Sequence, residues 1–110
     1  MRTIQLKDDV ILSGIKPMAA VAIFRAGFVF WRYGFDFVIT SGQDRPKGAD
    51  LNKTLHDDGL AFDLRSKHVP RPNLPGLLSD LRHILGEDYD VVLENKGMEN
   101  EHIHIEHDPK

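Results

Sequence analysis

The sequence predicts an α+β domain in which a small antiparallel sheet is covered by helices on one face. Three observations lead there. Apolar residues recur at helical spacing in two separate stretches, four short runs have strand character, and their order is helix, strand, strand, helix, strand, strand. A length of 110 residues suits one domain spanning residues 1–110, and 41% hydrophobic residues suffice for one core.

The elements follow in order. Pro17 is tolerated in a first helical turn, a helix runs from there to Tyr33, and Gly34 supplies its stop. The apolar part of that helix, residues 18–31, is broken by Arg25 and Gly27 and is shorter than the roughly 20 residues that span a bilayer, so it reads as a buried core helix. Residues 37–40 are β-branched and aromatic and end at Ser41-Gly42, which marks a buried strand entering a loop. Residues 43–54 are polar, with Pro46, Gly48 and Asn52, and read as an exposed loop. A second strand follows at 60–64, and residues 65–73, with Pro70 and Pro72, form another loop. Leu77, Leu78, Leu81, Ile84 and Leu85 repeat at helical spacing until Gly86 ends the second helix. Residues 89–94 and 102–106 read as two strands joined as a hairpin through 95–101.

Composition removes several function classes. Lys and Arg total 14 against 17 for Asp and Glu, a net charge of −3, which lacks the basic surface that nucleic-acid backbones require. With no cysteine there are no disulfides, thiolate zinc sites or cysteine nucleophiles, so a metal site has to be built from His, Asp and Glu. Neither a Gly-x-Ser-x-Gly elbow nor a phosphate-binding glycine loop is present. The first ten residues carry no secretory apolar core. The expectation is a soluble monomer made in the cytoplasm, without membrane insertion or nucleic-acid partner.

Chemistry collects in two places. Of 6 histidines, His102, His104 and His107 fall in the last nine residues. Side chains two apart in a strand share a face, so His102, His104 and Glu106 point one way while Ile103 and Ile105 point into the core. Taken alone, that pattern also fits a solvated, histidine-rich edge strand. The other cluster surrounds Asp63, a carboxylate between Phe62 and Leu64 in a strand that otherwise reads as buried. Burial there is costly unless the group is paired, hydrogen-bonded or bound to metal; backbone amides or Arg65 could satisfy it as well. His56 precedes it by seven positions, before Gly59, where the backbone can turn. Histidine and aspartate from three chain segments suit zinc, and three protein ligands leave a fourth position open, as in catalytic sites.

The run His56-Asp57-Asp58-Gly59-Leu60-Ala61-Phe62-Asp63, followed by Glu101-His102-Ile103-His104, resembles the M15 group of zinc peptidases. That group contains D-alanyl-D-alanine carboxypeptidases, dipeptidases and phage endolysins that cut the peptide stems of peptidoglycan, and its domain is related to the signalling domain of hedgehog proteins. The resemblance covers residues 38–106. It implies a hedgehog-like fold, zinc held by His56, Asp63 and His104, Glu101 as catalytic acid/base acting with zinc-activated water, and His102 as a residue that stabilises the developing oxyanion. It also implies Arg45 as the anchor for a substrate carboxylate or carbonyl, although Ser41-Gly42-Gln43-Asp44-Arg45 is one residue longer than the usual Ser-Gly-x-Arg. Thr54 stands where the group often has serine and keeps the hydroxyl. The implied activity is hydrolysis of a peptidoglycan stem peptide, at the cell wall after release by another factor. Strand alternation favours Glu106 over Glu101 as the carboxylate beside His104, unless the strand is irregular at its mouth. The alternative is a zinc-stabilised binding module of the same fold without peptidase activity. His68, His83 and His107 fit no pattern; His68, in a proline-rich loop, could border a cleft.

Overall fold

The computed structural model describes residues 4–43 and 59–109. Its elements are β1 (Ile4–Leu6), α1 (Pro17–Tyr33), β2 (Phe37–Ser41), β3 (Ala61–Arg65), a 3-10 turn (Arg71–Asn73), α2 (Leu74–Leu85), β4 (Tyr89–Glu94) and β5 (His102–His107). The strands form one sheet in the order β1-β2-β3-β5-β4. β1 pairs parallel with β2 and every other neighbour is antiparallel, so the α+β class stands but the sheet is mixed rather than antiparallel. The strand that sequence reading missed is three residues long and exposed throughout, so it carries no buried–exposed alternation to detect.

One face of the sheet is the core. Phe62 and Leu64 of β3, Ile103 and Ile105 of β5 and Val91 of β4 pack against the inner faces of both helices. α1 contributes Ala19, Ala22, Ile23, Ala26, Val29 and Phe30, and α2 contributes Leu74, Leu77, Leu78, Leu81 and Leu85. The alanines let α1 approach closely, and the Phe30 ring meets Phe37 with centroids 5.3 Å apart. Gly34, in the left-handed region at φ 79°, closes α1 by donating its N–H to Phe30 O and Trp31 O.

α1 is not the fully buried helix that its apolar run suggests. Val21, Phe24, Phe28 and Trp31 line an outer face, with Phe24 71% exposed. The helix packs on the sheet and α2 from one side only, so an apolar run too dense for one face leaves the surplus in solvent.

The segment before α1 straps the ends of β2 and β3. Gln43 N donates to Ile11 O at 2.7 Å, and Lys16 N donates to Gly59 O at 2.8 Å. Gly42 and Gly59 permit this approach: a Cβ at either would collide with the carbonyl oxygen of Ile11 or Gly14, and Gly59 also has φ 74°. These contacts fix the strand ends that carry the polar face.

Candidate metal centre and polar groove

Phe62 and Leu64 turn into the core, so alternation puts Asp63 on the opposite, open face of the sheet. Its partner across the β3–β5 ladder is His104. His104 Nδ1 lies 2.8 Å from Asp63 Oδ1, and its Nε2 lies 2.8 Å from Glu106 Oε1. His102, two residues earlier on the same face, has Nε2 3.7 Å from Asp63 Oδ2 and 2.7 Å from Glu94 Oε1. Glu94 stands opposite His102 in the β4–β5 ladder. The result is a continuous row, Glu94, His102, Asp63, His104, Glu106, with Asp63 at its centre and only 9% exposed.

Burial alone would lower the pKa of His104. The hydrogen bond and charge of Asp63, then the Glu106 hydrogen bond and the Glu94 charge, overcome this and push it up to about 9. Both ring nitrogens face carboxylate oxygens, and only the imidazolium can donate to two acceptors at once.

Ser41 reaches this face through a β-bulge. Ile39 pairs with Leu64 but Ser41 pairs with Asp63, so β2 spends one extra residue and the alternation reverses. Ser41 Oγ is buried and has no hydrogen-bond partner among the described residues. It lines a groove of about 450 Å³ together with Asp63, Glu101 and His102. Lys7, Arg65 and Lys67 supply cations to the same groove, and Lys67 Nζ donates to Glu99 O at 2.9 Å.

Glu101 is buried at the groove wall and heavily engaged. Ser66 Oγ donates to its Oε2 at 2.5 Å, while Arg71 Nη1 at 2.7 Å and Gly97 N at 3.1 Å donate to Oε1. Burial would raise its pKa, but the Ser66, Arg71 and Gly97 hydrogen bonds and the Arg71 charge hold it down at about 2.

Of the residues singled out from sequence, the structure brings together Asp63, His102, His104 and Glu106, with Glu101 beside them in the groove wall. His56 and Arg45 lie outside the described residues. His68 does not line this groove: its Nε2 is 2.7 Å from Asp36 O and its ring stacks on Phe30 at 6.3 Å. His83 is exposed on α2, and His107 packs on Tyr89 at 5.1 Å. Sequence reading missed Glu94, Ser66 and Arg71. The hairpin register could have found Glu94, because the strand carrying it pairs residue by residue with 102–107. Ser66 lies in a loop and Arg71 opens the 3-10 turn after it, and neither gives a periodic signal.

The donors fit zinc. Imidazole nitrogens and carboxylate oxygens are its preferred non-thiolate ligands, and Asp63, Glu94 and His102 offer atoms within 4.8 Å of one another. Asp63 and His104 are closer still. Fold and site together define an α+β domain with a carboxylate–imidazole cluster on the open face of its sheet. Comparison of the chain with family models, with curated proteins and with solved structures gives no match.

Proposed function

We propose that the chain is a zinc-dependent peptidase that hydrolyses a peptide bond in bacterial peptidoglycan stems, with a hedgehog- and DD-peptidase-like fold. The observation that carries the reading is the cross-strand pair of Asp63 and His104, 2.8 Å apart on the open sheet face. These are two of the three residues that the zinc-peptidase resemblance assigns as ligands, and His56 would complete the set. When bound, zinc supplies Lewis acidity towards the scissile carbonyl and acidifies water for attack.

The protein's own groups have separate tasks. Glu106 orients the His104 ring through Nε2, as carboxylates commonly do for ligating histidines. His102 lines the groove with Nδ1 2.9 Å from Asn100 O and Nε2 2.7 Å from Glu94 Oε1, so donating to an oxyanion would require Nε2 to leave Glu94. Glu101 would be the acid/base: its Oε atoms would take the proton from the attacking water as the water oxygen bonds to the carbonyl carbon, and return it to the amine nitrogen as the C–N bond breaks. That task requires its carboxylate to loosen from Ser66, Arg71 or Gly97 once substrate is present. Lys7 and Arg65, with the Ser41 hydroxyl that has no partner among the described residues, would meet a peptide carboxylate, and Arg45 would be a further anchor. The setting would be the cell wall, reached with the help of another factor.

A second reading is favoured by the same Glu101 contacts. A carboxylate fully engaged as an anchor needs no catalytic explanation, and a zinc-stabilised binding module would use it that way. Digestion of purified sacculi, followed by mass spectrometry with and without chelator, separates the two. New amino groups that vanish with chelator, and fall on the order of a hundredfold in Glu101→Gln, establish the peptidase. Intact stems, with zinc-loaded protein still sedimenting with sacculi, establish the binding module.

A further inference from the structure

The outer face of α1 carries a feature that the metal centre does not use. Val21, Phe24, Phe28 and Trp31 recur at steps of three and four and are 39%, 71%, 49% and 49% exposed. Phe28 and Trp31 stack at 5.8 Å, so their exposed rings form one continuous apolar surface. The charges that the helix itself carries are all positive: Arg25 and Arg32 lie on the exposed side and Lys16 precedes the helix, whose 17 residues contain no acid. The Arg32 guanidinium sits over the Phe28 ring, 5.8 Å from its centroid.

We propose that this face seats the protein on a lipid surface bearing anionic headgroups, with the aromatic side chains in the acyl boundary and the arginines at the phosphates. Charge complementarity selects this occupant. A symmetric pairing of two copies through α1 would bring like-charged arginines together, without an acid on the helix to answer them. A lipid surface offers apolar chains and negative charge in one plane, which matches an aromatic stripe flanked by arginine. The inner face of α1 remains in the core, so seating needs no unfolding. The proposal stands apart from the peptidase reading, since it uses no residue of the groove.

Trp31 is the single tryptophan of the chain and lies within the patch, so its emission reports the contact directly. The full chain is mixed with vesicles of equal parts phosphatidylglycerol and phosphatidylcholine, and separately with pure phosphatidylcholine. The expected result is a blue shift and co-sedimentation with the anionic vesicles, weakening as salt is raised. Phe24→Ser and Phe28→Ser should each reduce partitioning about tenfold with the fold unchanged by circular dichroism. Arg25→Gln with Arg32→Gln should abolish the preference for anionic vesicles. Absence of partitioning into either vesicle overturns the proposal. So does equal partitioning into both, or a blue shift that accompanies doubling of the mass without lipid, which would assign the face to a second copy.

Discussion

His104 and Glu101 are neighbours in sequence with opposite proton economies. The pKa of His104 is raised from 6.5 to about 9, so its pairing stabilises the metal-free protein fully below 6.5 and is lost as pH rises through about 9. Zinc ligation by His104, as proposed, would require the neutral ring, so the ion would have to displace a proton over that whole range. Apparent zinc affinity should therefore rise about tenfold per pH unit from near 7 to near 9 and then level off, rather than saturating above 6.5 as free imidazoles would. Metal titrations at stepped pH check this, and a curve already flat at pH 7 refutes it. Glu101 goes the other way. Its pKa falls from 4.5 to about 2, so its contribution is present above 4.5 and is lost as pH falls through about 2. That contribution is about 3 kcal/mol in wild type, and the acid limb of the stability curve should flatten in Glu101→Gln. Denaturant unfolding from pH 5 down to pH 2 measures both. Activity decides its chemistry: if Glu101→Gln remains active and Glu106→Gln is dead, the proton passes through Glu106, which already contacts His104.

At the scale of elements, β5 separates the core from the polar face by alternation alone. Ile103 and Ile105 are fully buried while His102, His104 and Glu106 face the opposite side of the sheet. Ile105→Ala should cost about 3 kcal/mol. Val92→Ala, on the open face of the adjacent strand and 44% exposed, should cost well under 1 kcal/mol by comparison. Chemical denaturation of the pair tests the facing directly; comparable losses would mean that the register is wrong. The strap before α1 makes a further prediction. Gly59→Ala should destabilise by roughly 1–3 kcal/mol, because the residue combines positive φ with a collision at Gly14 O. The same variant should lower zinc affinity if the strap holds the start of β3 in place.

For the whole molecule, zinc held as proposed by residues on neighbouring strands would couple ion binding to the sheet. Wild type should take up one zinc per chain, and chelator should lower its melting temperature. His104→Ala should remove most of that difference, whereas an unchanged melting point and metal content would pass the ligand role to His102. Much of this layout is legible in the sequence. The helices over 17–33 and 74–85, the hairpin and the facing of His102, His104 and Glu106 follow from periodicity, capping glycines and turn residues, all of which are local. Asp63 stands out for a similar reason, as a carboxylate inside an apolar strand. What tertiary structure alone decides is which segments meet. The parallel β1 has no pattern of its own, and the bulge that turns Ser41 towards Asp63 reverses the alternation that a sequence reader would follow. Arg71 and Ser66 close on Glu101 from 30 and 35 residues away, through a loop and a 3-10 turn without periodicity. Local preference is set by the chemistry of adjacent residues and can be read from them. The partners of a buried carboxylate are set by how the strands and loops pack, and that is where the proton affinity of Glu101 and the shape of the groove are determined.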